Sequence, residues 1–390
     1  MPARTPSRRG ETLTGGRSTP ERGPDGLVAG FLFKVIREQI PRTQEELAAD
    51  LGVDKSTLQG WESGRRPLSA TRAGNLVAMR RKLIRLGAPP ALVDALNIAM
   101  DADFILAEIL SGGTGDRPFD EHPLASWVLT RDTTHMIGWA VSGVLPGMVS
   151  AKLSIPAARR GPVAVAPLLD TADRARFFDI LRQHAERADR DGDDVALLRR
   201  QVFYLSSYDR DWDAAAWFDT MRRRGRLTAS VSGWSPRWAE ARSVAAALAR
   251  QGDPDLLRDF IARSLTDNDA AEAANLNYWA HWLGLDSRPQ TDDSFMAERD
   301  RPAWDGSALL RQLAVRLDRA VEYTDLYVHS IWALLIARRG LLEADPHIAQ
   351  DLNSRVQVLL DGDSLSTQSR RELEAVHYGL RIGGFGTTGN

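Results

Sequence analysis

The chain has 390 residues, 50 Lys+Arg against 52 Asp+Glu, 43% hydrophobic and 26% charged side chains and no cysteine, which at roughly 150 residues per domain predicts two or three domains with full cores. Disulfides, thiolate metal sites and cysteine nucleophiles are excluded, and no run of about 20 apolar residues is present to span a bilayer: Met136 to Val149 is shorter and interrupted by Gly138, Gly143, Pro146 and Gly147. The net charge of -2 conceals an asymmetry, because residues 1–90 hold 16 basic and 9 acidic side chains (+7) and residues 91–390 hold 34 and 43 (-9).

Chance clustering of arginine is one reading of that split. The other is a basic module that approaches a polyanion, attached to an acidic one that does not. Residues 1–26 are mostly Pro, Gly, Ser, Thr and Arg with one Leu before the first apolar run, too little apolar surface to offset ordering entropy, and predict a disordered tail. Its start, MPARTPSRRGETLTGG, lacks the apolar segment of a secretory signal, so a cytoplasmic protein with no membrane partner is expected.

From Leu27 to about Gly87 the apolar spacing is helical, and Pro41, Gly52, Gly64 and Gly87 divide it into five short helices, a domain expected over residues 27–88. Pro89 to Leu110 places Leu92, Leu96, Ala99, Ile105, Ile109 and Leu110 near one face and ends in Ser111-Gly112-Gly113-Thr114-Gly115, which predicts a connecting helix and linker over 89–117. In 118–170 six prolines break any long element while Trp127, Val128, Ile137 and Trp139 demand burial, so short helices and ordered loops are expected.

Beyond Thr171 helix follows helix: Thr171–Ala188, Val195–Ser207, Trp212–Arg224, Pro236–Arg250, Pro254–Leu265, Ala270–Leu283, Ser307–Tyr323, Leu326–Gly340, Pro346–Leu360 and Thr367–Leu380. Ser235-Pro236, Asp253-Pro254 and Asp345-Pro346 are cap-plus-proline starts. Helix pairs recur at roughly 35–45 residues, in the range of two-helix, TPR-like solenoid repeats, although no internal self-similarity names a repeat family. The chain is thus expected to be all-α, with a five-helix N-terminal domain, a solenoid-like stack of antiparallel helix hairpins over 118–380 and a flexible end over 381–390.

Thr43 to Leu68 reads TQEELAADLGVDKSTLQGWESGRRPL and meets each requirement of a helix-turn-helix in order. Thr43 caps a helix opened by Gln44, with Glu46 three residues past the cap as in a capping box. Ala48 is small where a second helix must approach, and Gly52 sits where a left-handed backbone is needed. Asp54 caps the next helix, Leu58 and Trp61 point inward at three-residue spacing, and Gly64 ends it before Arg65 and Arg66.

Over Leu27–Gly87, under a fifth of the chain, this segment resembles the Xre-type family of helix-turn-helix proteins, to which lambdoid phage repressors belong. The resemblance implies that an Arg in the first helix, here Arg37, pairs with a Glu near the end of the recognition helix, here Glu62. It implies that Asp54–Ser63 lies in the major groove of double-stranded DNA with Lys55, Ser56, Gln59 and Gly60 facing the bases. Lys donates to guanine, Gln brackets adenine and Ser serves either, whereas Gly60 departs from relatives that carry a longer polar side chain there. Phosphate contacts are implied for Thr43, Gln44, Thr57, Arg65 and Arg66. A solvated loop is the other, less favoured reading of the two arginines, and a solvated helix face equals DNA contact as a reading of Arg80, Arg81, Lys82 and Arg85.

The remaining constellations point away from catalysis. Asp189, Asp191 and Asp193, and Asp209, Asp211 and Asp213, alternate like a calcium loop, but the glycine and the bidentate carboxylate are missing from their places, so solvated loops or helix caps are expected. The seven histidines are dispersed without a His-x-x-x-His pair, and there is no GxxxxGK[ST], GxGxxG or GxSxG motif. No enzyme, no metal and no cofactor are expected. In AAEAANLNYWAHWLGL, Asn275, Asn277, Tyr278, His281 and Trp282 crowd one helix with aromatic and hydrogen-bonding groups, which predicts either interhelical bonding or an effector pocket. The AANLNYWAHW run behind such a head looks like large helical regulators from actinobacteria.

These readings combine into a sequence-specific transcription regulator, expected to be a homodimer on a pseudo-palindrome with half-sites about 10–10.5 base pairs apart. The Pro89–Leu110 helix and the C-terminal domain are candidate dimer surfaces, and the latter is the candidate sensor of a small-molecule or peptide effector. The main alternative is a protein–protein adaptor localised by its DNA head; a third is an enzyme with an unfamiliar C-terminal site.

Overall fold

The computed structural model describes residues 24–112, 121–153, 166–188, 195–223, 233–286, 288–298, 304–317, 321–362 and 365–382. The N-terminal tail up to residue 23, the glycine linker from residue 113, the Asp189 to Asp193 run and the last eight residues lie outside the described residues. Every α or 3-10 element found is helical, with no strand among the described residues.

A 3-10 turn at Pro24–Gly26, packed on the later helix Pro90–Gly112 although the sequence predicts these residues in the disordered tail, opens the first module. Four helices with one further 3-10 turn among them follow: α1 Leu27–Gln39, α2 Gln44–Leu51, α3 Lys55–Glu62, the turn Leu68–Ala70 and α4 Ala73–Arg85. This second turn takes the place of the fifth short helix. Val28, Leu32, Phe33 and Ile36 form the buried stripe of α1 and meet Leu47 and Ala48 of α2, Leu58 and Trp61 of α3 and Met79 and Leu83 of α4. The helix α5, Pro90–Gly112, is long enough to cross the whole module. Its apolar face, Leu92, Val93, Leu96, Ala99, Ala102, Leu106 and Ile109, is spent against α1 and the helices that follow rather than held out as a bare connector.

After α5 come α6 Arg131–Ser142, α7 Gly147–Ser150, α8 Thr171–Ala188, α9 Ala196–Ser206, α10 Ala214–Arg223, α11 Pro236–Arg250 and α12 Asp255–Phe260. Then follow α13 Asp269–Trp282, α14 Gly306–Ala314, α15 Thr324–Ala337, α16 Leu341–Ala344, α17 Pro346–Leu360 and α18 Thr367–Ile382. Several expected helices are shorter than their apolar periodicity, the Val195 and Trp212 helices among them. The Pro254 helix passes into a π-helical turn at Ile261–Leu265. The Ser307 helix stops at Ala314 before a 3-10 turn at Val321–Tyr323, and the Leu326 helix runs from Thr324 to Ala337. Ser235 and Asp345 cap the proline starts as expected, through the Trp238 and the His347 and Ile348 amides.

Packing follows chain order: α5 on α6 and α8, α8 on α9, α9 on α11, α11 on α12, α13 on α15, α14 on α15 and α17, and α15 and α17 on α18. Two apolar clusters fill this stack, one from Val28 to Leu248 and one from Val128 to Val376. They interleave along α9 and α11. There the buried Arg199 and Arg200 are neutralised by Glu240 at 2.8 Å and by Asp293 at 2.8 Å through Nε. No helix among the described residues is long and apolar enough to cross a membrane.

Candidate nucleic-acid interface

The α2–α3 pair is built by local rules that the sequence states openly. The Thr43 hydroxyl accepts the Glu46 amide at 3.2 Å while the Glu46 carboxylate accepts the Thr43 amide at 2.8 Å, closing the capping box. Gly52 stands at φ 71, the left-handed corner that ends α2, and the Val53 amide donates back to the Ala48 carbonyl at 3.0 Å. Asp54 then accepts the Thr57 amide at 2.7 Å, the Ser56 hydroxyl at 2.6 Å and the Thr57 hydroxyl at 2.8 Å. Those donors, the Ser56 hydroxyl foremost, hold its carboxyl well below the usual carboxylate range.

Leu58 and Trp61 face inward, and Trp61 meets Phe33 edge-on with ring centroids 5.9 Å apart. The approach of α1 to α3 is as close as backbone allows: a Cβ on Gly30 would lie 2.2 Å from the Trp61 carbonyl oxygen. Arg37 of α1 pairs with Glu62 through Nε and again through Nη2 at 3.3 Å. Gln44 donates to the same carboxylate at 2.6 Å and accepts from the Gln59 amide at 3.1 Å. Glu62 is therefore a hub that ties the first, second and third helices together, and its side chain is only 5% exposed.

The outward face of α3 carries the residues singled out from the sequence. Lys55 and Ser56 are exposed and Gln59 is half-buried. Lys55 rests on Glu45 of α2 at 3.3 Å, a contact between two exposed side chains that a phosphate or base replaces at little cost. Thr43 is exposed and Gln44 and Thr57 half-buried, at the entrance of α2 and along α3. Arg65 and Arg66 are exposed, with the Arg65 Nε on the Ser63 hydroxyl at 3.1 Å. Gly60 differs from its expected place. It is buried, because the aliphatic stem of Arg66 lies across it, and a Cβ there would come 2.9 Å from the Arg66 Cδ. Gly60 thus offers the groove no edge of its own.

The second basic run divides. Arg80 binds Asp94 at 2.8 Å and Asn97 at 3.3 Å on α5, and Lys82 faces Asp50 of α2 at 3.8 Å, so both brace the head. Arg81 and Arg85 remain exposed. Sequence reasoning passed over Asp103. From α5 its carboxylate accepts the Val28 amide at 2.7 Å and the Ala29 amide at 2.9 Å, capping α1 from a neighbouring helix. A buried acid on an otherwise apolar helix face was the available signal.

The residues of α13 are not gathered around one cavity. Asn275 accepts from Arg242 at 2.9 Å and donates to Ser330 at 2.9 Å, and Asn277 donates to the Met296 and Glu298 carbonyls and accepts from Trp304 at 2.9 Å. Tyr278 lies under the Arg242 guanidinium at 4.0 Å and stacks on Trp282, while His281 reaches the Val128 carbonyl at 3.1 Å. Burial holds the His281 pKa below its ordinary value. Asn277 borders an open cavity of about 430 Å³ with Asp269, Glu272, Glu298, Trp304 and Arg338, whereas Tyr278 and Trp282 line a void of about 10 Å³ on the opposite side. The aspartates expected to be solvated or capping also work between helices: Asp209 and Asp213 both bind Arg182, the latter at 2.8 Å.

A compact bundle that holds a capped helix outward, one turn after a left-handed glycine and beside unopposed basic side chains, defines a helix-turn-helix DNA-binding domain. A family profile described as Helix-turn-helix matches residues 33–78, and this head is an Xre-type, phage-repressor-like helix-turn-helix of a DNA-binding regulator. No curated protein and no solved structure matches the chain.

Proposed function

We propose that the protein is a sequence-specific transcription regulator that lays α3 in the major groove. Lys55, Ser56 and Gln59 read base edges there, and Thr43, Gln44 and Arg65 meet phosphates, whereas the Thr57 hydroxyl and amide both donate to Asp54. The observation that carries this reading is the Glu62 hub. It fixes the tilt of α3 from two other helices and leaves the row Lys55, Ser56, Gln59 facing outward.

The helical body is the sensory or assembly module. An effector that binds one spacing of two heads better than another shifts operator affinity by its differential binding energy. A homodimer on a pseudo-palindrome is the assembly proposed. Because α5 buries its apolar face within the chain, the α17–α18 hairpin is the better surface, with Val358, Tyr378 and Ile382 exposed. Exposed apolar side chains on this hairpin also suit the adaptor reading, in which a different protein docks there.

Selection of duplexes from a random library by the full-length protein tests the proposal. Enrichment of a two-fold-related motif supports it, and binding with no enriched sequence refutes it.

A further inference from the structure

The Arg66 side chain does not stay in the loop after α3. Its backbone amide donates to the Gly60 carbonyl at 3.1 Å, its stem runs back across the bare Cα of Gly60, and Nη1 donates to the Thr57 hydroxyl at 2.6 Å. Thr57 lies three positions before Gly60, so the guanidinium is carried about one helical turn toward the N-terminus of the recognition helix, the end that meets base edges. Arg65, by contrast, stays at the C-terminal end on Ser63.

We propose that Arg66 reads a guanine in the major groove, standing in for the long polar side chain that position 60 lacks. The inference rests on the groove docking proposed above and deepens it. Any side chain at position 60 would meet the stem of Arg66, so the glycine and the arginine are one device: the first clears the path and the second fills it. Thr57 is the positioning residue. Its hydroxyl donates to Asp54 at 2.8 Å and so presents a lone pair to Arg66. That bond uses one of five guanidinium N–H donors, and Arg66 pairs with no carboxylate among the described residues. Enough of the fork remains for guanine O6 and N7. The alternative is a phosphate contact, which would carry charge but no sequence information.

The test compares duplexes selected by full-length wild type, Arg66→Ala, Arg66→Lys and, as a control, Arg65→Ala. Wild type is expected to prefer guanine at one position of each half-site. Arg66→Ala should lower that preference by roughly 5- to 150-fold while leaving the other positions intact. Arg66→Lys keeps the charge and should hold affinity for random DNA while losing much of the same preference. Arg65→Ala should weaken all duplexes alike. An Arg66→Ala protein that selects the wild-type motif with uniformly weaker binding overturns the role of Arg66 and leaves groove docking standing. A folded wild type that enriches no sequence overturns both.

Discussion

At the scale of single residues, Glu62 does more than pair with one arginine. Its carboxylate takes Arg37 and Gln44 together, and Gln44 passes the restraint on to Gln59. Glu62→Ala leaves the largely buried Arg37 only the long contacts to Glu38 at 3.9 Å and the Arg42 carbonyl at 3.5 Å, so a loss of about 3 kcal/mol is expected in denaturant unfolding, with sequence-specific binding lost alongside. A variant with unchanged stability would show the hub to be idle. Lys55 is exposed and differs: Lys55→Ala should relax base preference with little change in stability, whereas equal loss on specific and random duplexes in a binding titration would deny it a base-reading role. Arg65→Ala should lower the salt slope of binding by about one counterion. The caps, the corner glycine and the inward Leu58 and Trp61 were legible because each obeys a rule that spans three or four residues. The place of Gly60 was not. Its burial depends on a side chain six residues on that folds back over it, and no local spacing encodes that return.

Among elements, α5 shows how far periodicity reaches. Its apolar face was plain in the sequence, but what that face meets was not, since α1, α6 and α8 lie far away in the chain. Asp103 makes the union specific by receiving two amides at the start of α1. Burial pushes the Asp103 carboxyl up to about 7, against the pull of those two amides. A carboxyl whose folded pKa exceeds its unfolded value, about 3.9, binds its proton more tightly when folded. Its contribution to stability is therefore full below that value and fades as pH climbs through about 7. Between those limits wild type should lose stability relative to Asp103→Asn as pH rises, followed by urea midpoints across the range; a flat difference would place the carboxyl in an ordinary solvated state. The helix starts at Pro236 and Pro346 were legible from their caps, while the π-helical turn at Ile261–Leu265 was not, because an extra residue in a helical turn leaves the apolar pattern almost unchanged.

For the molecule as a whole, the charge split read from composition follows the architecture: the basic end holds the helix-turn-helix, and the acidic remainder is the helical stack. The two parts share a core, with Phe31 of α1 edge-on to Trp139 of α6 at 5.2 Å and Trp139 only 1% exposed. Trp139→Ala should cost about 3–5 kcal/mol by opening that seam, seen as a lower and broader thermal transition; an unchanged midpoint would mean that the head and stack are energetically separate. If α17–α18 is the dimer surface, Tyr378→Asp with Ile382→Asp should yield a monomer by light scattering and remove cooperative binding to paired half-sites. An unaltered mass would send the interface elsewhere.

The seam of α1, α5 and α6 has one more consequence. A reading head on a slack tether samples many orientations, and news from the far end of the molecule dies in the slack. Here Phe31 and Gly30 lie side by side on α1, one against Trp139 and the other against the carbonyl of Trp61. A tilt of α6 is thus only one helix width from the recognition helix. No slack joint lies between α6 and α3, so a displacement of α6 that α1 follows is expected to reach α3.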